Sequence, residues 1–299
     1  MLKILLRLSG WVFIAILLIL FAVQALAPSQ NVFAYMPVAP PDQVERDVMA
    51  YDTRTGISTR LVRDNSILNY DISLDGQWMV YASRIVGETR LTLLNIFTHE
   101  KRILLHADVY DPAFSPDGQW IAYRNNARKE RGIWIMPFMG GEPTRIATLP
   151  RGFAWSPDST QIMYADSTPT EAQNGVFSVN INTHEEQLLL NTDLFPTMMV
   201  WTDDAYILLN TYQLFHYDLA TDAMVQMSRN NTFSAHPRLS PDGHYVIVAF
   251  NDRIQSGINM YDVSGVYQQG TTPPHIFIAS TNPGGVSVGD AVDWWLQGE

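Results

Sequence analysis

A ten-residue phrase, Phe114-Ser115-Pro116-Asp117-Gly118-Gln119-Trp120-Ile121-Ala122-Tyr123, recurs along the chain with small variations. It returns as Ile72-Ser73-Leu74-Asp75-Gly76-Gln77-Trp78-Met79-Val80-Tyr81 and as Trp155-Ser156-Pro157-Asp158-Ser159-Thr160-Gln161-Ile162-Met163-Tyr164. Leu239-Ser240-Pro241-Asp242-Gly243-His244-Tyr245 is a further copy, and Trp201-Thr202-Asp203-Asp204-Ala205-Tyr206 is a degraded one. The turn aspartates at 75, 117, 158, 203 and 242 are separated by 42, 41, 45 and 39 residues. A unit of about forty residues cannot bury a core alone, so the repeat points to a propeller or a solenoid.

Each copy reads as two strands joined by a tight turn, because Pro presets φ while Asp and Gly accept the conformations that reverse a chain. A third strand follows, as in Ile133–Phe138 or Leu214–Leu219, and then a fourth, as in Glu186–Leu190. Four short strands per unit describe a propeller blade, and no long segment beyond the N-terminus keeps a helical period. Residues 32–66 supply a second, third and fourth strand without a first, whereas Asp290–Glu299 supplies a first strand alone. Joined, they would close a ring and remove the exposed edges. The expected fold is therefore all-β: a six-bladed β-propeller of four-stranded blades, closed by the C-terminal strand.

Composition narrows the class. Of 299 residues, 46% are hydrophobic and 16% charged, values of a globular chain rather than a disordered one. The net charge of −11 argues against nucleic acid as a partner, which would require clustered Lys and Arg. Arg124, Arg128, Lys129 and Arg131 form the densest cluster, and Glu130 interrupts it. With no cysteine, disulfides, thiolate metal sites and a lipoprotein anchor are excluded.

Lys3 and Arg7 precede an uncharged run from Leu8 to Ala27, long enough to span a bilayer. The positive flank assigns the start to the cytoplasm and everything after Pro28 to the outside. Residues 1–28 are thus expected to form one N-terminal transmembrane or signal helix, and 29–299 the propeller domain. The membrane is accordingly an expected partner through this helix. Cleavage after Ala25, giving a secreted form, is the alternative.

The Ser-Pro-Asp-Gly phrase followed by an aromatic or aliphatic residue and Tyr resembles the PD40, or WD40-like, repeat of TolB-type six-bladed propellers. It is also similar to the propeller domains of prolyl oligopeptidase relatives. The resemblance spans nearly all of residues 31–299, but its motif residues hold turns and cores rather than chemistry. It implies a binding fold. TolB proteins carry an α/β domain before the propeller, whereas here the repeats are expected to begin close behind the apolar run. The peptidase relatives carry a C-terminal hydrolase domain for which residues 31–299 leave no room.

Catalytic signatures are weak. Gly285-Val286-Ser287-Val288-Gly289 matches a nucleophile elbow, but that motif needs an acid and a His further on, and no His follows. The seven histidines show no metal-binding spacing, so no metal and no cofactor are expected. Asp75, Asp117, Asp158 and Asp242 recur at one position and read as turn residues. Asp71 and Asp111 lie near the start of first strands, where side chains face one end of a central channel. With Asp290 and Asp293 they could make an acidic ring, and His236 could point the same way. Trp134, Phe138 and Tyr212 are the aromatics most open to an exposed role, with a place in the core as the alternative. The candidate binding set is Asp71, Asp111, His236, Asp290, Asp293 and Trp134, with ordinary strand-end capping as the alternative role of the polar members. The longest candidate recognition loops are Ser83–Arg90, Asn125–Gly132, Ser167–Gly175 and Gly265–Pro274.

The sequence thus favours a noncatalytic, membrane-anchored and extracytoplasmic propeller, periplasmic or at the cell surface. It would recognise a protein, peptide or envelope polymer through loops and channel mouth. The alternative is an enzyme sited in the channel, a lyase or hydrolase acting on glycan or peptide.

Overall fold

The computed structural model describes residues 32–37, 47–52, 57–64, 66–148, 151–167, 174–194, 196–209, 213–228, 233–240, 245–251, 256–263, 275–279 and 288–295. The chain opens with β1 (Val32–Pro37), β2 (Asp47–Asp52) and β3 (Ile57–Arg63). Four strands follow as β4 (Ile67–Ile72), β5 (Trp78–Ile85), β6 (Glu88–Asn95) and β7 (Lys101–His106). The next four are β8 (Val109–Phe114), β9 (Trp120–Asn125), β10 (Gly132–Pro137) and β11 (Thr144–Ala147). Then come β12 (Phe153–Trp155), β13 (Gln161–Ser167), β14 (Asn174–Asn180) and β15 (Glu186–Asn191). A further set is β16 (Met198–Trp201), β17 (Ala205–Leu209), β18 (Leu214–Asp218) and β19 (Ala223–Gln226). The last are β20 (Phe233–Leu239), β21 (Tyr245–Asn251), β22 (Ser256–Asp262), β23 (His275–Ala279) and β24 (Val288–Trp295).

Among the described residues these strands associate into six four-stranded antiparallel sheets. Five are meanders of consecutive strands, β4–β7 through β20–β23, and the remaining one has the order β24-β1-β2-β3. In that sheet Phe33 lies opposite Trp294 and Ala34 opposite Asp293. β24 also touches β20 on one side and β4 on the other, so the two ends of the chain meet at a seam in the ring.

Two parts of the sequence expectation are corrected here. Blades that the chain completes in a single pass number five, not six, because the sheet at the seam is a hybrid of distant segments. No helix occurs among the described residues, and none there is long and apolar enough to cross a membrane. The apolar run Leu8–Ala27 lies outside the described residues. The segment Ser83–Arg90, expected as a loop, is instead the tip of a hairpin, with Arg84 opposite Thr89 and Ile85 opposite Glu88. Residues 168–173 and 264–274, in two of the other expected loops, lie outside the described residues, as do most of Gly285–Gly289.

The core sits between sheets rather than within them. Val80, Ala82, Leu91 and Leu93 of one blade pack with Val109, Phe114, Ile121 and Tyr123 of the next. Along β9 the sides alternate as strand geometry demands: Ile121 and Tyr123 join that cluster, while Ala122 joins the following one, with Trp155, Ile162 and Tyr164. Truncating a fully buried residue such as Leu91 or Ile121 to Ala should cost about 2–5 kcal/mol. This sharing explains why the repeat unit needs neighbours on both sides.

The repeated phrase builds one turn several times. The Ser115 hydroxyl donates to Asp117 Oδ1 at 2.5 Å and accepts from the Trp120 amide at 2.9 Å. The Gln119 amide donates to the same carboxylate oxygen at 3.0 Å. Ser73, Asp75, Gln77 and Trp78 repeat this pattern, as do Ser156, Asp158, Thr160 and Gln161. Gly76, Gly118 and Ser159 hold the left-handed position at φ 67°, 69° and 62°. Ser159 takes a conformation that favours Gly, and its hydroxyl accepts from the Asp117 amide of the preceding blade at 3.0 Å.

Candidate functional site

The strands adjacent to the ring centre bring Asp71 and Asp111 into a polar network that crosses blade boundaries. Asp71, on β4, is 8% exposed, and its Oδ2 accepts from the Phe114 amide of β8 at 2.7 Å. Its Oδ1 lies 3.5 Å from Nε of Arg238 on β20. β4 and β20 flank β24, so this one carboxylate ties its own sheet to the next blade and to a sheet beyond the seam.

Asp111 works similarly on the following blade. Asn69 Nδ2 donates to Asp111 Oδ1 at 2.9 Å, and the Asp111 amide donates to Asn69 Oδ1 at 3.1 Å. Arg124 grips Asp111 Oδ2 through Nε and Nη2, and its Nη1 donates to the Arg151 carbonyl at 2.8 Å. Asp111 itself has φ 50°, an uncommon backbone for a side-chain-bearing residue, held by bonds on both flanks. Asp71 and Asp111 are thus engaged by arginines, and their chemistry is that of clamps between blades. Among the described residues no group of three or more His, Asp or Glu is placed to hold a metal.

The end of the ring opposite the Ser-Asp turns carries a second polar site. Arg63, Asp64, Ser66, Arg84 and Ile85 line an open cavity of about 480 Å³ between the β3–β4 connection and the β5–β6 hairpin. The Arg84 amide donates to the Ser66 carbonyl at 2.9 Å, which fixes one wall to the other. The Arg84 guanidinium donates to the Tyr110 hydroxyl and lies 5.8 Å from that ring's centroid. Asp64 accepts from the Ser66 amide at 3.0 Å and hydroxyl at 2.5 Å, and lies 3.5 Å from Lys101 Nζ. Burial works against its ionisation, but the Ser66 bonds and Lys101 outweigh that and hold the carboxyl below the usual range. Burial and then the Asp64 charge push the Tyr81 hydroxyl up to about 12.

Trp134 is half-buried on β10. Its Nε1 donates to the Glu130 carbonyl at 2.8 Å, and Arg145 lies 5.9 Å from the ring centroid. It flanks the core shared by the first two continuous blades, as does Phe138, which meets Trp78 edge-on at 5.4 Å. His236, Asp290 and Asp293 lie on β20 and β24, but their side chains are outside the described set. The sequence reading missed Asn69, Arg238, the clamp role of Arg124 and the Arg63–Arg84 cavity. One signal for the clamps was present. Asn69 and Asp111 are 42 residues apart and Asp71 and Phe114 are 43 apart, so one repeat step predicts which residues meet across a boundary.

In fold the protein is a β-propeller similar to those of TolB structures. The structure matches TolB from Acinetobacter baumannii with a TM-score of 0.74 at 15% identity, covering 92% of this chain and 70% of that one. It matches a TolB-type protein from Agrobacterium tumefaciens with a TM-score of 0.60 at 15% identity, over 87% and 96% of the two chains. Oligogalacturonate lyase from Vibrio parahaemolyticus matches with a TM-score of 0.59 at 14% identity, over 80% and 77%. No protein-family model matches the sequence, and no curated protein does. At such identities the likenesses establish architecture alone.

Proposed function

We propose that this chain is a noncatalytic, extracytoplasmic binding propeller, tethered by residues 1–28 and presenting the domain 29–299 to a partner protein, peptide or envelope polymer. The observation that carries the reading is the use made of Asp71 and Asp111. Both are committed to clamps between blades, whereas the exposed Arg63 and Arg84 line a cavity at the loop end. A rigid frame with recognition displaced to one end is the ordinary design of a binding scaffold. The likeness to TolB structures and the Lys3/Arg7-flanked apolar run support the same reading.

Crosslinking and pulldown from intact membranes, comparing the full chain with one lacking residues 1–28, tests it. Partners should depend on the propeller, and membrane retention on residues 1–28. Loss of neither would overturn the proposal. The lyase-like architecture motivates one control: purified protein incubated with polygalacturonate should generate no unsaturated product, and turnover would favour the channel-sited enzyme.

A further inference from the structure

The β5–β6 hairpin combines three properties that a solvent turn does not need together. With Ile85 opposite Glu88, the turn residues are Val86 and Gly87, both at positive φ, 49° and 84°. Two-residue turns of this kind favour Asn-Gly, because a β-branched residue clashes with its own backbone there. Val86 is nevertheless present, and it is 99% exposed, with Ile85 beside it at 43%. The tip therefore holds an apolar side chain in water on a backbone that disfavours it. Strain that the surroundings do not require is a reason to look for a function.

The neighbourhood supplies the rest. Ile85 forms one edge of the cavity, and the exposed Arg63 and Arg84 line it. Arg128, Lys129, Arg131 and Arg151 are exposed at the same end of the next blade boundary. The acidic groups at this end include Asp64, Glu88, Asp108, Asp111 and Glu130. Asp64 is held by Ser66 and Lys101, Asp111 by Arg124, and Glu130 accepts from Asn125 at 3.1 Å. A chain with net charge −11 thus concentrates cations at one end of two adjacent blades, next to two exposed aliphatic side chains.

We propose that the Arg63–Arg84 cavity and the Ile85–Val86 tip dock an acidic peptide segment of a partner protein, with a carboxylate in the cavity and an apolar residue on the tip. This rests on the noncatalytic binding reading and names its site. Guanidinium groups suit carboxylates through paired hydrogen bonds, and the aliphatic tip suits an apolar side chain, not a sugar ring, which is usually met by an aromatic platform. Burying Val86 on binding would also give its exposure a purpose.

The test is a selection of random dodecapeptides displayed on phage, panned on the full chain, with binding of the enriched peptides measured by fluorescence anisotropy. Acidic peptides with a neighbouring aliphatic residue should be enriched. Arg63→Gln with Arg84→Gln should weaken them about tenfold or more. Val86→Asn is the sharper variant: it should raise Tm by about 2–4 °C, since Asn suits the turn, while weakening peptide binding about tenfold. A stabilised protein that binds less well cannot be explained by damage to the fold. Enrichment without acidic bias, no enrichment, or binding indifferent to both variants would overturn the site. If polygalacturonate binds through the arginines and no peptide does, the ligand is a polymer and the peptide assignment fails. In each of those cases, persistence of membrane crosslinks in the Gln and Asn variants would leave the broader binding role standing.

Discussion

The two ends of the ring are built on different rules. At the Ser-Asp turn end, successive blades reuse one hydrogen-bonding scheme, and the residues after the Asp take nearly the same φ in Gly76, Gly118 and Ser159. At the opposite end the described connections share one backbone bond, Arg84 amide to Ser66 carbonyl and Asn126 amide to Asp108 carbonyl, but differ in their side chains. One boundary is closed by Arg124 reaching the Arg151 carbonyl, another hairpin ends on a strained Val86, and a third connection runs backbone against backbone at Gly152. Repetition marks what every blade needs in order to fold. Irregularity marks where individual blades have acquired separate tasks.

Two glycines give this contrast a measurable form. A Cβ on Gly152 would lie 2.0 Å from the Thr197 carbonyl oxygen, in the connection leading to the next blade. Gly152→Ala must therefore shift one backbone against another, and a loss of ~3 kcal/mol or more in denaturant unfolding is expected. A loss below ~1 kcal/mol would mean that this boundary is loose and that the two ends differ less than described.

The next largest effect is expected at the clamp. Asp71→Asn leaves shape intact but removes the charge facing Arg238 and the stronger acceptor for the Phe114 amide, and should cost ~1–3 kcal/mol. Arg238→Gln should behave alike, and the double variant should lose less than the sum if the pair acts as one unit.

At the turn end, nothing lies within 4 Å of a Cβ added to Gly118, so Gly118→Ala meets only the left-handed backbone penalty. That is ~1–2 kcal/mol, visible as a small drop in unfolding midpoint. An effect as large as that of Gly152→Ala would erase the distinction between the ends.

A gentler probe loads the frame without touching either end. His216 on β18 is 3% exposed, and burial lowers its affinity for a proton, partly countered by Asp218. Its folded value lies below 6.5, the ordinary value that the unfolded chain keeps. Between the two, the unfolded state holds a proton that the folded state does not, so stability falls as pH drops from about 6.5 toward the folded value. Melting curves across that window should slope downward with acid, and His216→Gln should flatten the slope.

The turns, the strand rhythm and the complementary ends were legible in the sequence because each depends on local chemistry: Pro and Asp at a reversal, alternating apolar residues along a strand. Asp71 and Asp111 were also visible as unusual acids, but their partners were not. Arg238 lies far from Asp71 in the chain, and Arg124 read as part of a loop cluster with Lys129 and Arg131 although it lies on β9. The Ser83–Arg90 stretch misled for a related reason. Its Gly and charged residues look like a loop, whereas strand pairing with Thr89 and Glu88 extends the hairpin to a two-residue tip. Pairing across long separations is what a linear reading cannot price.

The pairing of β1 with β24 also sets a clock on assembly. Each continuous blade can form as soon as its own strands have emerged, but the ring has no inner strand at the seam until residues 288–295 arrive. Until then β1 and the sides of β4 and β20 await their last neighbour. Until β24 pairs, the blades form an open arc that only this strand can lock. Opening of the folded protein should run in reverse, with amide exchange fastest along the β1–β24 ladder and slowest in the blades on the far side of the ring.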